Sequence, residues 1–468
     1  MDALDTMDAL MLAGEMFGSA MHVGIVLILS PPADAEAGFV EALYTDSLIG
    51  PYELDPRLRR HPHRGLDTGG IWVWRDEAEV DLRAHVHRAT LPPESGSEEL
   101  WRFISALHGQ RLEMSSPLWT SYLIDGLEDG RFAIYIKVHH IVIDGVGGLQ
   151  MIIDSLSTDP DHRSMPPFYA DKTRASAAHT DRRHGLPNPL GAVRAVANAA
   201  VAGLDLTRRV AAAELANIAG SLASDAVVAP LEAPRTRFNT KLGPHRAAAG
   251  TVLDRERIRA VQDAAGVTGN DVVTALVAGA LRAWLYGLGE LPTRSLVAMC
   301  PVSVRSHDDA GAAQGGNQFG LGLCPLGTDI EDPVQRLALI HDAMANIKYQ
   351  VSSNGSDAML AVMGPAIGST VVMPLLPLPA VVPPSCNLAI SNVPGPTREM
   401  YFNGAHLDEI YPVSTAFDGM GLNVTVCSYA GRLHVGYVTD AGVMGDVGAL
   451  VPLTQQALTD LETAVGLR

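Results

Sequence analysis

The segment FAIYIKVHHIVIDG, residues 132–145, decides the fold. Residues 132–138 are apolar apart from Lys137 and rich in β-branched and aromatic side chains, which is typical of a buried strand. Two histidines, His139 and His140, follow directly, and Asp144 and Gly145 complete the pattern HHxxxDG. Functional side chains are common where a rigid element passes into a loop. The segment therefore predicts a strand that carries a reactive site at its end.

Histidine in this position is a candidate general base. The ordinary pKa of imidazole, about 6.5, lets the neutral ring accept a proton near neutral pH. The chain has no GxSxG elbow to supply a serine nucleophile. We therefore expect His140 to remove a proton from a substrate hydroxyl, with no covalent enzyme intermediate. Two alternatives stay open: a pair of histidines that only closes a turn, and an HxxxD metal site that lacks an obvious third ligand.

The last two residues of the motif have simpler expected roles. Asp144 lies four residues after His140, so it either orients the imidazole or holds the loop by pairing with an arginine. We favour the loop role. Gly145 allows the turn to fold tightly because it has no Cβ.

Composition limits the class of protein. The 468 residues are 47% hydrophobic and 18% charged, enough for a large core and for two or three domains. The net charge of −18 excludes a general nucleic-acid binder. The four cysteines are Cys300, Cys324, Cys386 and Cys427. They have no CxxC spacing, which argues against a zinc ribbon, a dithiol redox site or a disulfide scaffold. A reduced, cytosolic protein is the simplest interpretation. Asp2, Asp5, Asp8 and Glu15 argue against a secretory signal.

The hydrophobic patterns alternate between strand and helix periods and predict a mixed α/β fold. We expect an N-terminal lobe over residues 1–156, a polar linker with Ala-rich helices over 157–230, and a C-terminal lobe over 231–468. Residues 163–246 hold twelve Lys/Arg and six Asp/Glu. This local basic excess predicts either an anionic partner or a solvated linker.

The longest uncharged stretch runs from residue 358 to 397. Prolines interrupt it repeatedly, and a membrane span must satisfy its backbone groups internally. We interpret the stretch as buried core or as a surface that touches lipid, not as a span.

Further motifs follow in order along the chain: MHVG at 21–24, PLW at 117–119, ND at 270–271, PVSVR at 301–305, SNVPGP at 391–396 and SYAGRL at 428–433. Together with HHxxxDG they resemble the bacterial bifunctional wax ester synthase/diacylglycerol acyltransferases. That family lies in the superfamily of CoA-dependent acyltransferases that includes chloramphenicol acetyltransferase and peptide-synthetase condensation domains. The resemblance covers nearly the whole chain.

The resemblance implies two chloramphenicol-acetyltransferase-like lobes with a tunnel between them. It implies that His140 is the base, that His139 is supportive, and that Asp144 is structural, with Arg305 a candidate partner. The expected cosubstrate is acyl-CoA, with no bound cofactor and no metal. The expected acceptor is diacylglycerol or a long-chain fatty alcohol. The implied protein is cytoplasmic and makes peripheral contact with the inner membrane or lipid droplets.

Other candidate site residues have structural alternatives. Asn270 either caps a helix that begins at Asp271 or takes part in lobe packing, and the alternative is that Asn270 and Asp271 contact the tunnel. Ser391 or Asn392 is a candidate donor to the oxyanion, and Arg305 is alternatively a surface charge at a strand end. Residues 146–148, VGG, depart from relatives that carry a serine before the glycine. This departure leaves the shape of the nearby pocket in doubt.

Two rival functions stay open. The first is a related HHxxxDG enzyme that esterifies another lipid or a polyketide alcohol. The second is a catalytically silent lipid-binding protein that kept the fold.

Overall fold

The computed structural model describes residues 2–4, 6–50, 52–143, 145–171, 226–303, 319–354 and 383–468. Two six-stranded sheets form its frame. The described strands, in chain order, are β1 (His22–Ser30), β2 (Arg60–His63), β3 (Val73–Asp76), β4 (Val86–Ser95), β5 (Trp119–Leu127), β6 (Phe132–His139), β7 (Arg246–Asp254), β8 (Val297–Ser303), β9 (Phe319–Pro325), β10 (Leu388–Pro394), β11 (Tyr401–Phe402), β12 (Ala405–Val413), β13 (Leu422–Tyr429) and β14 (Arg432–Asp440).

Helices cover the sheets. The described α-helices are α1 (Thr6–Phe17), α2 (Phe39–Ile49), α3 (Ser97–Gly109), α4 (Gly145–Ile153), α5 (Arg255–Ala265), α6 (Gly269–Gly287), α7 (Pro333–Asn354) and α8 (Leu450–Ala464). The predicted mixed α/β class is confirmed.

The first sheet has the strand order β11-β12-β1-β6-β5-β4. Its centre is the antiparallel pair β1 and β6, in which His22 lies opposite His139 and Ile25 opposite Ile136. Side chains alternate between the two faces of a strand. One face of this pair carries Ile25 and Ile136 into an apolar cluster, while the other face carries the polar side chains described below.

The second sheet has the order β7-β14-β13-β10-β8-β9 and is mixed, since β10 runs parallel to both β13 and β8. Strands β13 and β14 form a hairpin, with Ala430 and Gly431 between them. Both turn residues have positive φ, 43° and 79°, as a tight hairpin turn of this kind requires. Helices α6, α7 and α8 pack their apolar sides on this sheet.

One hairpin crosses between the two halves of the chain. Strand β12 lies in the first sheet, where Gly24 of β1 pairs with Val413. Strands β11 and β12 therefore complete the N-terminal sheet, although they lie late in the sequence. The division of the chain at residues 156 and 231 stays a prediction. The hairpin β11–β12 follows this division in sequence but belongs to the N-terminal sheet.

Part of the expected linker packs on the first sheet. Phe168 and Tyr169 are buried, and their rings contact the ring of Trp119 at centroid distances of 5.7 and 5.1 Å. The remaining linker residues up to 225 lie outside the described residues, as does most of the uncharged stretch that begins at residue 358.

Over the described ranges, no single helix is long and apolar enough to cross a membrane. Helices α5 and α6 pass such a length and composition test only when taken together, and they are bent by 103° where they meet.

The two sheets touch through glycine. A Cβ added to Gly436 of β14 would lie 1.9 Å from the carbonyl oxygen of Pro412 in β12. A Cβ added to Gly250 of β7 would lie 2.7 Å from the ring of Tyr411 in β12. These close approaches require that both positions carry no side chain.

We predict that Gly436→Ala lowers the free energy of unfolding by about 1–3 kcal/mol, because the backbone at Pro412 cannot move aside without separating the sheets. Gly445→Ala is the control, since a Cβ there meets nothing within 4 Å. Urea denaturation of both variants tests this. Equal stability of the two variants would contradict the close contact.

Candidate active site

The two histidines of the motif lie where β6 ends. His139 is the last residue of β6, and His140 is the first residue of the following turn. The amide of His140 donates to the carbonyl of Met21 at 2.8 Å, and the amide of Val142 donates to the carbonyl of His139 at 3.0 Å. The backbone of this turn is therefore held on both sides of His140.

His139 is fully buried and engaged through both ring nitrogens. Its Nδ1 accepts from the amide of Ile141 at 3.2 Å, so the ring proton resides on Nε2. That Nε2–H donates to Oε2 of Glu15 at 2.6 Å. With both nitrogens occupied, His139 is a structural support. His140 is partly exposed and is the histidine of the pair suited to meet a substrate.

Glu15 of α1 binds both the side chain of His139 and the backbone at Met21. The same Oε2 that binds His139 also accepts from the amide of Met21 at 3.1 Å, and Met21 in turn holds the amide of His140. Glu15 is only 2% exposed, and its Oε1 has no partner among the described residues.

In the sequence, Glu15 counted only as evidence against a secretory signal. Its available signal was a second acid, after Asp8, in the mostly apolar helix α1.

Behind β6 lies a group of buried polar side chains on the face that also carries His139. His22 donates from Nε2 to the carbonyl of His108 at 2.7 Å. Lys137 donates to the carbonyls of Leu107 and Gln110, both at 2.8 Å, near the C-terminal end of α3. Burial lowers the pKa of Lys137 to about 8 and holds the pKa of His22 well below its usual 6.5.

His108 links this group to the second half of the chain. Its Nδ1 accepts from the hydroxyl of Tyr135 at 2.8 Å, and its Nε2 donates to the carbonyl of Ser414 at 3.1 Å. Burial lowers the pKa of His108 to about 3, so the ring stays neutral. The two histidines of this group are therefore neutral, and the amine of Lys137 is held by backbone carbonyls.

An apolar cavity of about 80 Å³ lies on the opposite face of β6. Residues of the motif loop and α4 form one side, and residues of β10, β12 and β13 contribute to the other. We call it the first chamber. Its lining includes Ile25, Ile136, Val138, Ile143, Gly145, Gly148, Ile152, Phe168, Val393 and Thr425.

Of the two candidate donors to the oxyanion, Ser391 lies on the face of β10 that borders the first chamber. Val393 of β10 and Thr425 of β13 line the first chamber, and Ser391 is the parallel-strand partner of Thr425. Because Ser391 and Val393 are two residues apart, they share one face of β10. Asn392 lies on the other face, where its Nδ2 is 3.4 Å from Oδ1 of Asn270.

The predicted cap at Asn270 is wrong. Helix α6 begins at Gly269, and Thr268 is its N-cap: the Thr268 hydroxyl accepts from the amide of Asp271, and the Asp271 carboxylate accepts from the amide of Thr268. This reciprocal capping box satisfies two backbone amides at the start of the helix. Asp271 is buried and also pairs with Nδ1 of His341 at 2.8 Å.

Two predicted site residues, Asp144 and Arg305, lie outside the described residues. The expected pairing between them therefore stays a prediction. Within the described ranges, no group of three or more His, Cys, Asp or Glu side chains is arranged to hold a metal ion.

Comparison with known proteins identifies the family. Residues 4–273 match the wax ester synthase/diacylglycerol acyltransferase catalytic domain, and residues 315–462 match the C-terminal domain of the same family. A putative diacylglycerol O-acyltransferase of Mycobacterium tuberculosis is 37% identical over 99% of this chain and 100% of its own length. A probable diacylglycerol O-acyltransferase of the same organism is 35% identical, with both chains fully covered.

Solved structures agree. The wax ester synthase/diacylglycerol acyltransferase of Marinobacter aquaeolei matches with a TM-score of 0.73 and 29% identity, over 99% of this chain and 100% of that one. The first condensation domain of the CDA synthetase matches at 0.56 with 17% identity, over 99% and 96%, which shows a shared fold. The chain therefore belongs to the wax ester synthase/diacylglycerol acyltransferase family.

Proposed function

We propose that this chain moves a long-chain acyl group from acyl-CoA to the hydroxyl of diacylglycerol or a fatty alcohol, with His140 as the general base. The observation that carries the assignment of the base is the contrast at the end of β6. His139 is buried with both nitrogens bonded, whereas His140 is partly exposed at the motif loop beside the first chamber.

In the proposed reaction, the imidazole of His140 removes the proton of the acceptor hydroxyl as its oxygen attacks the thioester carbon. The carbonyl oxygen becomes an oxyanion. Its collapse breaks the carbon–sulfur bond, and the leaving CoA thiolate takes the proton from His140. The products are an ester and free CoA, and no acyl-enzyme forms.

Ser391 is the proposed donor to the oxyanion. It shares the face of β10 with the chamber-lining Val393, whereas Asn392 is turned toward α6. One hydrogen bond that strengthens as the oxyanion forms contributes about 2.7–4 kcal/mol to such a reaction.

The first prediction concerns the base. His140→Ala lowers acceptor-dependent CoA release from palmitoyl-CoA by about 10²–10⁴-fold, because general-base catalysis contributes a factor of this size. A thiol assay with dipalmitoylglycerol and hexadecanol offered separately measures it and ranks the two acceptors. Full activity in His140→Ala would remove the base assignment. A wild type that neither acceptor stimulates would favour the lipid-binding alternative.

The second prediction concerns Glu15. Glu15→Ala leaves the buried Nε2–H of His139 and the amide of Met21 without an acceptor, which costs about 1–3 kcal/mol for each group. Displacement of His140 then lowers kcat about 10–100-fold. Glu15→Gln is the matched control, since its amide oxygen still accepts both bonds and keeps most of the activity. Melting temperature and kcat/KM, measured for both variants, test this; equal behaviour of the two would contradict the positioning role.

We also propose peripheral contact of a cytoplasmic enzyme with the inner membrane or a lipid droplet, through the loop between β2 and β3. Leu66 in this loop is fully exposed and Ile71 is 61% exposed. The guanidinium of Arg64 lies 5.8 Å from the centre of the Trp72 ring, next to this loop. Exposed apolar side chains beside cations suit an anionic lipid surface. The basic segment 163–246, largely outside the described residues, stays a second candidate for lipid headgroups or CoA phosphates.

The third prediction tests this contact. The double variant Leu66→Asp, Ile71→Asp lowers co-sedimentation with phosphatidylglycerol-containing vesicles at least about tenfold, because each apolar side chain loses about 1.5–3 kcal/mol of burial. Tyr286→Asp with Leu288→Asp is the control, since these residues are also exposed and apolar but lie at the C-terminal end of α6, outside the β2–β3 loop. Equal binding by the two double variants would place the contact elsewhere.

A further inference from the structure

A second apolar cavity, of about 40 Å³, lies deeper under the first sheet, between its strands and helices α2 and α4. We call it the second chamber. Its lining includes Leu27, Leu43, Leu123, Ile134, Ile136, Ile152, Leu156, Phe168, Tyr169 and Phe402. It lies on the same face of the sheet as the first chamber, away from His139 and Lys137.

The two chambers share three wall residues: Ile136 of β6, Ile152 of α4 and Phe168. The side chains of these residues therefore separate the chambers. Ile136 is fixed in the centre of the sheet. Phe168 belongs to the loop that follows α4. Of the three side chains between the chambers, which we call the partition, it is therefore the one that no helix or strand holds in place.

The walls suit an alkyl chain. None of the described residues that line either chamber is charged. In the second chamber, the hydroxyl of Ser155 donates to the carbonyl of Ile152, that of Ser47 to the carbonyl of Tyr44, and that of Tyr169 to the carbonyl of Ser47. Polar groups that are already bonded offer little to a polar ligand.

The volumes as they stand are small. They measure about 80 and 40 Å³. A long alkyl chain therefore enters only if the partition yields. Rotation of the Phe168 ring would join the chambers into one track that leads away from the motif loop.

We propose that the two chambers form one binding site for a linear alkyl chain, in which Phe168 sets the chain length. This inference rests on the proposed function. The first chamber, beside the motif loop, holds the methylenes near the reacting carbon, and the second holds the distal end. The chain belongs to the acyl donor or to the alcohol acceptor, and the experiment below distinguishes the two.

The test measures kcat/KM in two arms. The first arm varies the donor from butyryl-CoA to stearoyl-CoA with hexadecanol as acceptor. The second varies the alcohol from butanol to octadecanol with palmitoyl-CoA as donor. Leu123→Phe fills the second chamber only, and we expect it to lower kcat/KM for the longest chains at least about tenfold in one arm while the shortest chains are unchanged. Phe168→Ala shifts the optimum in the same arm toward longer chains.

Two matched controls carry similar changes in the same apolar cluster but outside both linings: Leu58→Phe and Phe39→Ala. We expect them to affect all chain lengths equally. Length-independent effects of Leu123→Phe and Phe168→Ala in both arms, with an active wild type, would overturn the chamber site alone. A wild type inactive with every donor and acceptor would overturn the proposed function with it.

A second measurement needs no variant. Palmitoyl-CoA and hexadecanol, each with a photoreactive diazirine at the terminal carbon, are irradiated on the wild-type protein and the adducts are mapped by mass spectrometry. Adducts from one of them at second-chamber residues such as Leu123 or Leu156 support the site. Saturable adducts confined to other residues would overturn it.

Discussion

The hydrogen bond between Glu15 and His139 is the interaction on which the active site depends. It is 2.6 Å long and lies in a region from which water is excluded. In such surroundings a carboxylate and an imidazole strengthen each other's hydrogen bond, and loss of either leaves the other buried and unpaired. The same carboxylate also accepts from the amide of Met21, just before β1, and the carbonyl of Met21 accepts from the amide of His140. One carboxylate thus holds His139 and, through Met21, the backbone of His140, the proposed base.

Strand alternation gives the two faces of β6 different tasks. One face carries His139, Lys137 and Tyr135 into a buried polar group packed on α3, and the other carries Ile136 and Val138 into the apolar chambers. The buried polar side chains and the apolar chambers are therefore on opposite sides of one sheet. Slippage of β6 by one residue would exchange the faces, so the register with β1 is strongly specified.

The two halves of the chain are tied together close to this strand. Hairpin β11–β12 completes the first sheet, and the carbonyl of Ser414, just after β12, accepts from His108. The near contact of Gly436 with Pro412 adds a steric fit between the sheets. Residues of both halves therefore contribute walls to the first chamber, as Val138 and Val393 do.

Much of this could be predicted from short patterns. The apolar, β-branched and aromatic content of residues 132–138 predicted β6, and the HHxxxDG spacing pointed to its end, because both signals are local. The start of α6 was missed, because the capping box between Thr268 and Asp271 places the cap two residues before Asn270.

Long-range pairings could not be predicted. Glu15 and His139 are 124 residues apart, and β12 pairs with a strand that lies near the start of the chain. Phe168 was assigned to a polar linker, since two adjacent aromatic residues among prolines and charges carry no periodic signal. Such contacts are set by tertiary packing, which a single sequence does not display.

Chemical rescue tests the central claim, that His140 acts as the general base, most directly. His140→Gly is assayed for acceptor-dependent CoA release with increasing concentrations of imidazole. The account predicts a severely impaired variant whose rate rises with imidazole concentration and only when an alcohol acceptor is present. A folded His140→Gly protein that releases CoA at the wild-type rate without imidazole would contradict it.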